Sequence, residues 1–192
     1  MPQQTIQRLL VISGPGGIGK TTVYERFPSA DFAPLRAALK IEDFHAWPLY
    51  TPHTLKQHAG QLPGEVVLHY EMTRLITRPG YQLTEFERDP ALEVLGRASE
   101  LSILTLWALP HIVARRLRGR LPLGSRIRQA FLPERRYNAT RRLYAEPQAF
   151  KRLYLAWLEY CDSVNAHLHL VADISEDVPR LVPMAEFREA LG

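Results

Sequence analysis

The stretch Gly14-Pro15-Gly16-Gly17-Ile18-Gly19-Lys20-Thr21, with Thr22 behind it, follows the pattern G-x-x-x-x-G-K-[ST]. An apolar, β-branched run, Leu9-Leu10-Val11-Ile12-Ser13, leads into it and reads as a buried strand. Lys20 to Phe27 can be helical until Pro28 stops the turn. The order is strand, glycine loop, helix, and the rest of the chain has to be arranged around that unit.

The spacing has a geometric meaning. Residues without a Cβ let successive backbone N–H groups curl around an anion, and the start of a helix adds further N–H groups and the positive end of its dipole. Lys20 would then reach the β- and γ-phosphates of a nucleoside triphosphate, and the Thr21 hydroxyl would ligate Mg²⁺. The pattern thus assigns Gly14, Pro15, Gly16, Gly17, Ile18, Gly19, Lys20, Thr21 and Thr22 to ATP or another NTP. Two other readings stand beside it: a glycine turn that holds nothing, and a dinucleotide site, because Gly14-x-Gly16-x-x-Gly19 also fits G-x-G-x-x-G. The dinucleotide fingerprint has no role for the lysine and threonine.

At 192 residues and 46% hydrophobic content, the chain predicts one domain, 1–192, with a sizeable core. No run of 18 apolar residues predicts a membrane span, and Met1-Pro2-Gln3-Gln4-Thr5 lacks the features of a secretory leader. The single cysteine, Cys161, excludes an internal disulfide and fits a reducing cytoplasm. Charge is distributed unevenly. Between His111 and Arg152, eleven arginines and Lys151 stand against Glu134 and Glu146, so the net +4 is a +10 segment set against −6 elsewhere. Such a segment suits phosphate contact, whether on nucleic acid or over a triphosphate.

Along the chain, Leu35 to Ile41 is ambiguous between a short helix and a second strand that would end at Glu42-Asp43. His45 to Gly64, rich in proline, glycine and histidine, reads as a substrate-covering stretch with a short helix over Thr54 to Gln61. Gly64 to Glu71 is a strand ending in an acid, followed by a helical turn over Met72 to Thr77. Asp89-Pro90 starts a helix reaching Ala98, with Asp89 as its cap. Leu101 to Trp107 is a strand, Pro110 opens a helix to Arg118, Leu153 to Ala166 is a helix, His167 to Asp173 a strand, and Val182 to Leu191 a closing helix. Alternating strands and helices predict an α/β fold with a parallel sheet covered on both faces.

This order resembles the small P-loop kinases that act on nucleosides, nucleotides and shikimate-like compounds. The likeness is carried by the glycine loop, the strand ending in Glu71, Ile103-Leu104-Thr105-Leu106-Trp107-Ala108-Leu109-Pro110 running into Arg115-Arg116-x-Arg118-x-Arg120, and the last strand near Val171. The resemblance implies a three-layer α/β/α domain with a parallel sheet of about five strands and an arginine-rich helical lid around 115–145. It implies ATP- and Mg²⁺-dependent phosphoryl transfer to a small-molecule acceptor, nucleoside-like or another hydroxyl compound. The chain departs from the family where His69-Tyr70-Glu71 replaces the usual acidic pair, and it shows no acceptor signature.

Within that reading Glu71 acts as base toward the acceptor or holds Mg²⁺ through water, with a helix cap as its plain alternative; Asp43, beside Glu42, competes for the base role. Arg116 and Arg120 neutralise charge on the transferred phosphoryl group, or else face solvent, and Arg126 and Arg128 hold an anionic acceptor. His167 and His169 share a strand face without a third zinc-spaced ligand, and Asn138-Ala139-Thr140 is a sequon with no meaning in a cytoplasm. Trp47, Trp107 and Trp157 read as core or pocket wall. The competing functions are a nucleic-acid-associated NTPase using the +10 segment, a sulfotransferase and a regulatory nucleotide-binding module. The sequence leaves the oligomeric state open, a homodimer included.

Overall fold

The computed structural model describes residues 5–44, 47–58, 62–75, 86–119, 143 and 145–192. Strand β1 (Ile6–Gly14) is buried continuously from Leu9 onward. A strand covered on both faces carries an unbroken apolar run, which is why Leu9 to Ile12 shows no alternation. On one side β1 pairs in parallel with β3 (Glu65–Glu71), beyond which lies β2 (Leu49–Tyr50). On the other it pairs in parallel with β4 (Ala98–Trp107), followed by β5 (Leu168–Asp173) and the antiparallel β6 (Arg180–Val182). The sheet order is β2-β3-β1-β4-β5-β6, so the strand bearing the glycine loop is central.

The protein is therefore a mixed α/β fold whose sheet has six strands, five parallel and one antiparallel, instead of about five all parallel. Both extra strands are too short to carry a period. Two-residue β2 lies in the proline- and histidine-rich stretch, and β6 takes in Val182, where the closing helix is expected to start; that helix begins at Met184 instead.

Helix α1 (Lys20–Arg26) follows the loop, and α2 (Ala33–Leu39) resolves the ambiguous segment as a helix. It ends at Lys40, whose φ of 54° is left-handed. Asp43 consequently lies exposed in a loop and not at a strand end. Helix α3 (Pro52–Gln57) is shorter than expected and starts at Thr51, which forms a reciprocal capping box with Thr54. The remaining helices are α4 (Pro110–Gly119), α5 (Pro147–Ser163) and α6 (Met184–Leu191); α5 begins well before Leu153, at a proline suited to a first turn.

The helix expected from Asp89 is instead a turn followed by a 3-10 segment, Glu93–Arg97. Asp89 does accept the Ala91 N–H at 3.0 Å, but its carboxylate also takes Arg74 Nη1 at 2.6 and 2.7 Å and the Tyr70 hydroxyl at 2.9 Å. A carboxylate 2% exposed needs such partners, and they belong to tertiary structure. Burial, then Asp89 itself, pushes the Tyr70 hydroxyl pKa far up, so it serves as a donor.

Trp47 and Trp157 are core, and Trp107 is half-buried against it. Trp157 is fully buried and stacks on Tyr70, with ring centres 5.2 Å apart and planes at 18°. Trp47 is buried under the Arg8 guanidinium, and Trp107 packs among Phe150, Tyr154 and Phe187. Cys161 is buried on α5, where desolvation raises its thiol pKa. Among the described residues no helix is long and apolar enough to cross a membrane.

Candidate phosphate-binding site

In an open parallel sheet the carboxyl ends of the strands face the crevice where ligands bind. β1 ends there at Gly14, and α1 begins at Lys20. Two glycines in between are conformationally required. Gly19, the residue before α1, has φ 118°, and Gly17 has φ 80°. A Cβ on Gly17 would also stand 2.3 Å from Leu117 Cδ2, so its bare backbone lets α4 settle onto the loop. Ile18 is fully buried and anchors the loop by its side chain.

Lys20 is 4% exposed, and its Nζ donates to the carbonyls of Gly14 (2.8 Å) and Pro15 (2.9 Å). The ammonium is thereby curled back along the inside of its own loop. Thr21 and Thr22 are exposed on the first turn of α1. Thr21 Oγ1 lies 3.4 Å from His69 Nε2 on β3.

Parallel pairing puts Glu71 directly opposite Gly14. Its Oε1 accepts the hydroxyl of Thr73 at 2.7 Å, and the Thr73 oxygen accepts the N–H of Gly16 at 3.1 Å. The acid of β3 and the loop of β1 are thus joined through one buried hydroxyl. His69 and Glu71, two residues apart on a strand, share a face.

Arg116 is half-buried on α4, and donates to the carbonyls of Ile18 (3.2 Å) and Ile174 (2.7 Å). It therefore ties α4 to the loop and to the end of β5. Beside the loop is a cavity of about 180 Å³ that runs from Gly19 and Thr22 past Arg116 to Asp177 and Pro179. Arg26 stands over Phe32 at its wall, 5.4 Å from the ring centre.

Beneath the loop lies a polar network. Trp157 Nε1 donates to Thr105 Oγ1 at 2.9 Å, and Thr105 contacts Ser13 Oγ (3.1 Å) and His169 Nε2 (2.9 Å). Burial lowers the His169 pKa to about 4, keeping the imidazole neutral. His167 Nδ1 accepts the Leu101 N–H at 3.2 Å, so both histidines have structural partners. Among the described residues no three His, Cys, Asp or Glu side chains cluster as metal ligands.

The structure thus brings Glu71 and Arg116 to the loop and leaves Asp43 in an exposed loop. Arg120, Arg126, Arg128, the Asn138 sequon and most of the 115–145 segment lie outside the described residues. Sequence reasoning missed His69, Thr73 and the Ile174–Pro179 wall. Strand alternation from Glu71 was signal enough for His69; Thr73 and the wall depend on which strands are neighbours. No protein-family model matches the chain, and no curated protein is significantly similar to it.

Proposed function

We propose that this protein is an ATP- and Mg²⁺-dependent phosphotransferase of the P-loop kinase kind, acting on a hydroxyl of a small, nucleoside-like or other acceptor. The observation that carries the reading is the convergence at the end of β1: Lys20 and Thr21 following the glycine loop, with Glu71 held opposite Gly14. The strand order supports it, since it sets that loop in the middle of the crevice. The cavity beside Gly19 and Thr22 supports it too, offering a nucleobase a place next to the triphosphate.

In this reading Lys20 leaves the carbonyls of Gly14 and Pro15 for phosphate oxygens, and the loop N–H groups hold the phosphate chain. The exposed Thr21 hydroxyl is a hard oxygen donor, a single protein ligand that would suit an ion keeping water and phosphate as its other ligands. Mg²⁺ would neutralise charge on the β- and γ-oxygens. Glu71 accepts the proton of the attacking hydroxyl, in preference to Asp43 in its exposed loop, because Glu71 is hydrogen-bonded into the glycine loop. Arg116 braces the loop through the Ile18 carbonyl.

The test is ATP consumption with Mg²⁺ and labelled γ-phosphate, against a panel of nucleosides, nucleotides, sugars, hydroxy acids and short RNA or DNA. Label on a small acceptor is the expected result. Label released only as inorganic phosphate, and faster with polynucleotide, would replace this reading with a nucleic-acid-associated NTPase.

A further inference from the structure

Thr73 is 1% exposed in the 3-10 turn Met72–Leu75 that follows β3. Its hydroxyl makes the two bonds that join Glu71 to the glycine loop, and the chemistry of the partners fixes the direction of both. A backbone N–H can only donate, so the Gly16 amide gives its hydrogen to the Thr73 oxygen; an ionised carboxylate can only accept, so Thr73 gives its own to Glu71 Oε1. The 2.7 Å separation is that of a well-formed O–H···O bond. Each bond in such a chain polarises the next. The β-branched side chain is also stiff at χ1, which suits a group that must point two ways at once.

We propose that Thr73 is a positioning residue for phosphoryl transfer: it sets the orientation of the Glu71 carboxylate by reference to the Gly16 amide, so that acid and phosphate loop are aligned as one unit. The role rests on the kinase reading above. It explains why a hydroxyl, and not an apolar side chain of the same shape, occupies this buried position.

The plain alternative is a threonine that only fills space and satisfies local polar groups. The two differ in what isosteric exchange does. Thr73→Val keeps the shape and loses the hydroxyl, whereas Thr73→Ser keeps the hydroxyl and loses a methyl. For a positioning hydroxyl, Thr73→Val slows Mg·ATP turnover on the order of tenfold to a hundredfold, the range for losing a hydrogen bond to a charged group. Its affinity for Mg·ADP stays within about threefold, because the loop and Lys20 remain. Thr73→Ser restores most of the rate. In nucleotide-free protein labelled with ¹⁵N-glycine, the Gly16 amide resonance moves in Thr73→Val and stays near its parent position in Thr73→Ser.

A Thr73→Val protein as fast as the parent overturns the role, as does a Thr73→Ser protein equally slow, or a parallel loss of Mg·ADP affinity and turnover. If Thr73→Val does not fold, Thr73→Ala against Thr73→Ser makes the same comparison. A parent protein that neither binds Mg·ADP nor consumes ATP overturns the kinase reading and this role with it. An active parent with an indifferent Thr73→Val overturns this role alone.

Discussion

Lys20 Nζ donates a 2.8 Å hydrogen bond to the carbonyl of Gly14, the residue that ends the central strand. A buried ammonium is stable only where its donors are met, and here the loop's own carbonyls meet them. In the proposed function a phosphate would draw the same cation from these carbonyls. Lys20→Ala is expected to cut ATP turnover by a factor on the order of 10² to 10³, the scale for removing one preorganised charge-stabilising donor. Circular dichroism of the variant should match the parent, and undiminished turnover would refute the role given to Lys20.

Gly17 carries two constraints, a left-handed backbone and contact with Leu117. Gly17→Ala is expected to lose roughly 1–3 kcal/mol of stability from strain and overpacking, and to weaken Mg·ADP binding. Leu117→Ala in the same chain should relieve the clash but not the φ strain. Across the double-mutant cycle of denaturant midpoints, Gly17→Ala is therefore expected to cost less in the Leu117→Ala background than in the parent, and an equal cost in both would overturn the clash.

Asp89 gathers Arg74, Tyr70 and the Ala91 amide inside the core. Asp89→Ala removes a buried carboxylate that Arg74, the Tyr70 hydroxyl and the Ala91 amide all share, and the expected cost is about 3–5 kcal/mol, read from urea unfolding. A loss below about 1 kcal/mol would overturn the structural weight given to this carboxylate.

His169 links stability to acid. Its imidazole takes up a proton near the ordinary 6.5 in the unfolded chain but only near 4 in the folded one, because burial disfavours the charged form. Between those values the unfolded state binds more protons, so the contribution is complete above about pH 6.5 and is lost as the pH falls toward 4. His169→Gln, which keeps a polar partner for Thr105 without titrating, should flatten the slope of stability against pH across that window. An unchanged slope would assign the acid sensitivity to other groups.

The site was legible to different depths. Residues 14–22 announce themselves because the loop's requirements fall on consecutive positions. Glu71 was found from the end of a strand pattern, and Tyr70, on the same strand, was not seen to be the partner of Asp89 across nineteen positions. Asp89 reads as a helix cap because Asp-Pro is a local signal, while the donors that satisfy it, Arg74 and Tyr70, come from elsewhere in the chain. The position of Asp43 stays open in the sequence because Leu35 to Ile41 is too short to separate a strand from a helix by period alone.

By itself, the sequence determined the strand–loop–helix unit, four of the parallel strands and the proline-started helix after β4, since each is written in the side chains of one continuous stretch. Only the tertiary structure decided that β1 runs between β3 and β4. That one arrangement sets Glu71 against Gly14, Thr73 beneath Gly16, His69 by Thr21, and Arg116 on the carbonyls of Ile18 and Ile174. Hydrophobic period tells a strand which face to bury; which strand becomes its neighbour is settled by packing among residues far apart in the chain.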